Sequence, residues 1–451
     1  LPVDPKVPHP YWFKVFAQGA KHRLLMPTCL TFDQKGRLWV CNLGGSILRL
    51  EDKNGDGVAD TPVYQFPVSA SAIPNIVSML FVGSDLWVSL YGAIGVFKDT
   101  NKDGEPDPNF LTVIPKIPHN YHETNQLVLG QDGWIYVSIG SLYNQAPGAP
   151  NLATIVRFNP AAKNPGSTLQ IFARGIRNCF DLCFDDKGNL FGGDNGRDDL
   201  GLQAPPEELN HYVKGGFYGF PTEGANTIPP IATFPPHSSP CGILFYTHPR
   251  FPGFAGSLLM VLHRPLPGNW AVNTTKRTRK IVRIQLIPSG KTFKTKVFDW
   301  VTGFGSGDPP LDIAMNKDGE VFAITYNASA IPEARVLKFS YPYLDLDSKP
   351  KIGGKLRIRT WAKSGWAVFD LLGIPSTPLP TPFGTFSLSP YRILLVLASG
   401  VAPGNDIFES RIPLPKDPSL IGAKLGVQGL VGPLTNLNKL VLTNMKEFTI
   451  Q

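Results

Sequence analysis

Leu30-Thr31-Phe32-Asp33-Gln34-Lys35-Gly36-Arg37-Leu38-Trp39-Val40 reads as two short apolar strands around a polar turn. Glycine supplies the positive φ that a tight hairpin needs, and the aromatic residue after it suits a buried sheet face. The same pattern recurs at Met79-Leu80-Phe81-Val82-Gly83-Ser84-Asp85-Leu86-Trp87-Val88, at Leu127 to Val137 around Gly133, and at Leu182 to Phe191 around Gly188. A worn fifth copy runs from Phe254 to Val261 around Gly256, and a sixth from Ile313 to Phe322 around Gly319. The copies are spaced by about 50 to 70 residues, the length of one four-stranded blade with variable loops. Six copies predict an all-β chain built on a six-bladed β-propeller over residues 1–343. The aromatics are expected to pack between neighbouring blades.

Composition agrees. Of 451 residues, 42% are hydrophobic, only 17% are charged, and 45 glycines and 44 prolines punctuate the chain, which favours short strands and many turns over long helices. The pattern stops near Tyr343. Residues 344–451 read as a small C-terminal β-sandwich-like domain after a polar linker at Asp345, Asp347, Ser348, Lys349 and Pro350. Within it, Tyr391 to Leu397 and Ala423 to Val431 read as buried strands, and the prolines between Leu372 and Pro382 as irregular backbone. The tail holds no histidine or cysteine, so no hydrolytic or metal chemistry is expected within it. Its edges offer either docking or self-assembly on a surface.

No uncharged apolar run is long enough for a transmembrane segment. The proline-rich opening from Leu1 predicts an exported, periplasmic or extracellular chain, trimmed of a signal peptide. Cys29 and Cys41 flank the first hairpin symmetrically, which makes a cross-strand disulfide geometrically plausible; buried free thiols are the alternative. Sequons stand at Asn273 and Asn327. A net charge of +8 and the run Lys276, Arg277, Arg279, Lys280, Arg283, Lys291, Lys294 and Lys296 raise the question of nucleic acid. Ile281 to Leu286 alternates like a strand with a solvated charged side and carries no base-stacking aromatics, so no nucleic-acid partner is expected.

Two stretches share the spacing D-x-N-x-D-G-x-x-D: Asp52, Asn54, Asp56 and Asp60, then Asp99, Asn101, Asp103 and Asp107. Oxygen ligands at every second residue with a glycine at the sharp turn suit a structural Ca2+ loop; without a twelfth-position glutamate or flanking helices, a plain Asx-turn is the competing reading. His122 precedes the third repeat and Arg177-Asn178 the fourth. Strand entries of a propeller converge on one mouth, where a histidine and an arginine suit a general base beside an anion or quinone. His122, His237 and His263 also read as ordinary loop residues.

His122 with Gln126 to Gly133, Ala173-Arg174-Gly175-Ile176-Arg177-Asn178, Asp194-Asn195-Gly196-Arg197-Asp198-Asp199, Glu207-Glu208-Leu209-Asn210 and Gly215 to Pro221 together resemble the PQQ-dependent soluble glucose/sorbosone dehydrogenases, from Pro27 to Tyr341. The resemblance implies oxidation of an aldose or related sugar by hydride transfer to PQQ, with a separate electron acceptor. It implies His122 as the catalytic base, Arg177 and Asn178 on the quinone oxygens, and the carbonyls of Gly196 and Arg197 on the cofactor's calcium. Three positions depart from the family. Gly307-Asp308-Pro309-Pro310-Leu311-Asp312 replaces an arginine-bearing stretch that binds cofactor carboxylates, His263-Arg264-Pro265-Leu266-Pro267 replaces a glycine-rich segment, and Ser141 stands where the glucose enzymes carry aspartate. A carboxylate in place of a guanidinium is expected to repel a tricarboxylate. The alternative reading is therefore a cofactor-less propeller that serves as a binding or surface-assembly module.

Overall fold

The computed structural model describes residues 4–60, 64–66, 75–222, 224–264, 279–326, 334–346 and 350–451. The sequons at Asn273 and Asn327, the basic residues Lys276 and Arg277, Pro265 to Pro267, and the linker residues Asp347, Ser348 and Lys349 lie outside the described residues. No helix among the described residues is long and apolar enough to cross a membrane.

The chain is all-β and divides into two compact units. The first comprises Leu1–Lys6, Val15–Glu51 and Ala59–Lys338; the second comprises Val7–Lys14, Asp52–Val58 and Phe339–Gln451. The second unit thus draws on two segments from early in the chain as well as on the tail.

Each repeat forms a four-stranded antiparallel sheet in a propeller-like fold. The innermost strands are Pro27–Phe32, Ile76–Val82, Thr124–Leu129, Cys179–Phe184, Pro240–Tyr246 and Pro310–Met315, and each lies against the next, the last against the first. In five sheets the other three strands follow in chain order; in the sixth, the N-terminal strand Trp12–Gln18 takes the outer place beside Arg335–Ser340. The hairpin glycines all have positive φ, from 65° at Gly83 to 83° at Gly188. The aromatics pack across sheets as expected: Trp39 meets Phe81 at 5.4 Å, Trp87 meets Phe158 at 5.4 Å, and Phe322 meets Phe32 at 5.2 Å between ring centroids.

Every innermost strand carries a register shift near its start. At four of these bulges a side chain turns toward the neighbouring sheet and accepts a backbone N–H there. Leu30 N–H donates to Asp312 Oδ2 (3.0 Å), Met79 N–H to Cys29 Sγ (3.3 Å), Leu127 N–H to Ser78 Oγ (3.0 Å) and Ile243 N–H to Asp181 Oδ2 (2.8 Å). Leu182 and Ile313 donate to the second oxygens of Asp181 and Asp312. All six buried N–H groups at this level are therefore satisfied. Gly242 is required here, because a Cβ would lie 2.6 Å from Asp312 Cα.

Cys29 and Cys41 are register partners, as the hairpin predicts, yet all five cysteines are buried free thiols. The Cys29 sulfur accepts the Met79 N–H and the Cys41 sulfur lies 3.2 Å from Thr28 Oγ1, so each has a partner other than a second sulfur.

The second unit holds a three-stranded sheet, Tyr343–Leu346, Lys355–Trp361 and Ile407–Pro413, and a four-stranded sheet ordered Gly384–Val401, Ala367–Thr381, Lys424–Gly432, Val441–Thr449. Leu344, Leu356 and Ile358 share one core with Val427. Two sequence expectations change here. The proline stretch belongs to the strand Ala367–Thr381, interrupted by register shifts; Lys424–Gly432 pairs only with residues 367–373, so Pro375, Pro378 and Pro380 need supply no N–H to that neighbour. Residues 393–396 form a strand but are not buried: Leu394 and Leu395 are 55% and 56% exposed, because Gly384–Val401 is the sheet's edge.

Candidate functional site

His122 reaches its position because the strand Ile135–Ile139 ends in Gly140. A Cβ on Gly140 would lie 2.4 Å from the His122 Cβ, and its N–H donates to the Glu123 carbonyl. Tyr121 packs edge-on against the imidazole at 4.9 Å. Among the described residues, His122 Nε2 is buried without a hydrogen-bond partner. Burial, reinforced by Arg177, pushes the imidazole down to about 3, so it is a neutral acceptor at ordinary pH.

Arg177 and Asn178 follow the strand Gln170–Arg174, and both backbone N–H groups donate to buried Asp194, at 3.0 and 2.7 Å. The Arg177 side chain is itself buried. Its Nε donates to the Asn144 carbonyl, Nη1 to the Asn195 carbonyl, and Nη2 to Asn144 Oδ1 and Asp198. A guanidinium has five N–H groups, so one is uncommitted by these four bonds. Asn178 Oδ1 accepts from Asn125, which turns its Nδ2 to other partners. Ser141 is buried and donates to the Tyr143 carbonyl.

Gly196 N–H donates to Glu207 Oε2 at 2.6 Å. Burial pushes Glu207 and Glu123 up to about 7, and burial together with Glu208 does the same to Asp194. Arg197 pairs with Asp199 at 2.7 Å. Asp198 also accepts from Tyr121 Oη at 3.0 Å; burial favours its protonated form, but Arg177 and Tyr121 outweigh this and hold it below the ordinary carboxylate value.

His122, Arg177, Asn178, Gly196 and Glu207 line one cavity of about 500 Å³, together with Asp198, His237 and Arg264. The last three also line a second cavity of about 480 Å³, with His263, Arg279 and Pro309. The structure thus brings together His122, the adjacent pair Arg177 and Asn178, and Gly196, from three separate stretches of the sequence, and adds His237 and His263 at the second cavity. His263 Nδ1 lies 2.8 Å from the Pro310 carbonyl, and burial beside Arg264 and Arg279 pushes it down to about 4.

No residue of the two acidic loops is among those that line these two cavities. In the first, Asp52 accepts the N–H groups of Gly55, Asp56 and Gly57, and Asn54 and Asp56 accept those of Asp56 and Val58. In the second, Asp99 accepts from Asp103 and Gly104, Asn101 from Asp103, Asp103 from Glu105, and Asp107 from Thr100. Asp60 donates its N–H to the Glu51 carbonyl. Among the described residues, no three His, Cys, Asp or Glu side chains are grouped to hold a metal ion.

Sequence reasoning treated Arg279 as part of a solvated charged face. Instead it lines the second cavity, whereas Lys280 pairs with Asp299 at 2.8 Å and Arg283 stacks on Phe254 and Phe298. Arg279 stands at a register shift of its strand, and no local sequence signal announces it. Asp308 is likewise not an exposed repulsive charge: it is fully buried against Arg335, whose Nε lies 2.8 Å from its Oδ2.

Residues 6–216 match a family described as a domain of unknown function, DUF7133. An uncharacterized protein of Borreliella burgdorferi is 24% identical over 349 residues, covering 70% of this chain and 86% of its own length. Among solved structures, a Trichoderma reesei carbohydrate-active enzyme of family AA12 superposes with a TM-score of 0.58 at 18% identity, over 74% of this chain and 97% of that one. The holo pyranose dehydrogenase PQQ domain of Coprinopsis cinerea gives 0.58 at 17% identity, over 75% and 97%. The PQQ-bound aldose sugar dehydrogenase of Streptomyces coelicolor gives 0.53 at 20% identity, over 74% and 99%. The solved proteins that share this fold thus include PQQ-dependent sugar dehydrogenases, the family that the sequence motifs resemble.

Proposed function

We propose that the chain is a quinoprotein sugar oxidoreductase whose first unit is a closed six-bladed propeller with the reaction centre at its mouth. The blade count is supported by six repeats, six four-stranded sheets and the contact of the last innermost strand with the first. One observation carries the functional reading: a buried, neutral His122 Nε2 without a partner at a 500 Å³ cavity beside Arg177 and Asn178. A buried ring nitrogen left unpaired is costly unless a ligand supplies its hydrogen-bond partner.

The residues fit a carboxylate-bearing quinone with calcium. Arg264 and Arg279 offer guanidinium groups to carboxylates, Asn178 Nδ2 and the last Arg177 N–H suit quinone oxygens, and the carbonyls of Gly196 and of Arg197, which shares a neighbouring pocket with Gly196, suit a cation. A cation beside Gly196 would also favour the ionised forms of Glu207 and Asp194. PQQ, when bound, supplies a two-electron acceptor for the hydride of the sugar C1. His122 would accept the proton of the C1 hydroxyl of a bound sugar. Tyr121 and Gly140 hold the imidazole in place, and Arg177 braces the Asn144 and Asn195 carbonyls around it.

A second reading, the cofactor-less binding or surface-assembly module, is favoured by Arg177, because four of its bonds are already made to the protein. We further read the loops at Asp52 and Asp99 as structural calcium sites, the chain as working outside the cytoplasm, and the second unit as a domain without a catalytic role. Reconstitution with PQQ and calcium, followed by dye reduction with a panel of aldoses, tests the main reading. Sugar-dependent dye reduction supports it. No change in quinone absorbance and no reduction would leave the binding module.

A further inference from the structure

The second cavity carries two guanidinium groups, and the carboxylate that lines it among the described residues, Asp198, is already held by Arg177 and Tyr121. Arg264 and Arg279 line it, and neither makes an ion pair or side-chain hydrogen bond among the described residues. The Arg279 Nε is buried and unpartnered; the Arg283 Nε is too, but the Arg283 guanidinium stacks on Phe254 and Phe298, and Lys280 pairs with Asp299. A buried guanidinium donor without an acceptor is unfavourable by itself, and a carboxylate is the acceptor whose geometry matches its fork. Asp308 is the nearest acidic influence on Arg279, but its carboxylate is held by Arg335, which also reaches Asp4 at 2.8 Å.

We propose that Arg279, together with Arg264, grips a carboxylate of the bound ligand and supplies from the fifth sheet the positive charge that the sixth sheet lacks. The identity of that ligand as a quinone tricarboxylate rests on the function proposed above; the carboxylate site itself does not. The geometry has three parts. Arg335 holds the Asp308 carboxylate, so the departure at Gly307-Asp308-Pro309 replaces a cation with a paired anion. Arg279 stands at a register shift of its strand and lines the cavity. Arg264 lines both cavities, which places the pair beside the space that His122 faces.

The test is equilibrium binding by calorimetry with two probes, PQQ with calcium and citrate as a redox-inert tricarboxylate, on the full chain and on Arg279→Gln and Arg279→Lys. Losing one charge-assisted contact should weaken both probes roughly 10- to 100-fold in Arg279→Gln, with partial recovery in Arg279→Lys. Unchanged melting temperatures would confirm that the variants fold. If PQQ binds the parent and Arg279→Gln equally, the inference falls and the quinoprotein reading stands. If the parent binds citrate in an Arg279-dependent way but not PQQ, the carboxylate site stands and the quinoprotein reading falls. Binding of neither probe overturns both.

Discussion

The Asp312 carboxylate accepts the backbone N–H of Leu30 at 3.0 Å, joining the first and last innermost strands across 282 positions of sequence. Cys29, Ser78 and Asp181 make the corresponding bond to the sheet that follows each of them. Four of the six contacts between neighbouring innermost strands thus carry a bond of this kind, its acceptor supplied by the residue at the bulge.

Ser78→Ala is expected to leave the Leu127 N–H without its acceptor and to cost about 1–3 kcal/mol in urea unfolding. Ser78→Cys, which places at this junction the sulfur that Cys29 uses at another, should cost less. Equal stability of Ser78→Ala and the parent would show that Leu127 finds another acceptor.

Stability should fall as pH rises toward and through 7. Burial pushes Glu123 and Glu207 up to about 7, and burial with Glu208 does so for Asp194. Between the unfolded carboxylate range near 4 and these values the folded chain binds more protons, so the favourable contribution is full on the acid side and lost above. In chelator, the melting temperature should be higher at pH 5.5 than at pH 8.5, by the order of a few degrees. Glu123→Gln should raise stability at the alkaline end and flatten the slope; a steeper slope in that variant would contradict the assignment.

His122→Ala should lower turnover of the reconstituted enzyme by roughly 10² to 10⁴ with little change in quinone affinity. Because the imidazole is pushed down to about 3, protonation of His122 should not produce an acid limb near its ordinary value of 6.5. A limb at that pH that vanishes in the variant would show that the imidazole is not desolvated as found.

Calcium removal should lower the melting temperature if the loops at Asp52 and Asp99 hold ions, and Asp103→Ala should abolish part of that response. An identical melting curve in chelator would identify both loops as Asx-turns sustained by their own N–H bonds.

A chain ended at Tyr343 should fold with a lower thermal midpoint. Trp12 is buried in the second unit, donates to Asp406 at 3.1 Å and packs on Trp366 at 5.8 Å, and the cut removes both partners. A midpoint equal to that of the full chain, measured by calorimetry, would show that these contacts contribute nothing.

The sequence by itself determined the repeating hairpins, because a positive-φ glycine and a following aromatic are local requirements that Gly36 with Trp39 and Gly83 with Trp87 meet within a few residues. It also marked His122, Arg177, Asn178 and Gly196 through short motifs. Only the tertiary structure decided that Cys29 and Cys41 stay thiols, that Arg335 holds the Asp308 carboxylate, that Arg279 lines a cavity, and that the strand from Ile393 to Val396 lies exposed at an edge. Each of these depends on which partner arrives from another sheet, and neither hydrophobic alternation nor spacing along the chain encodes that neighbour.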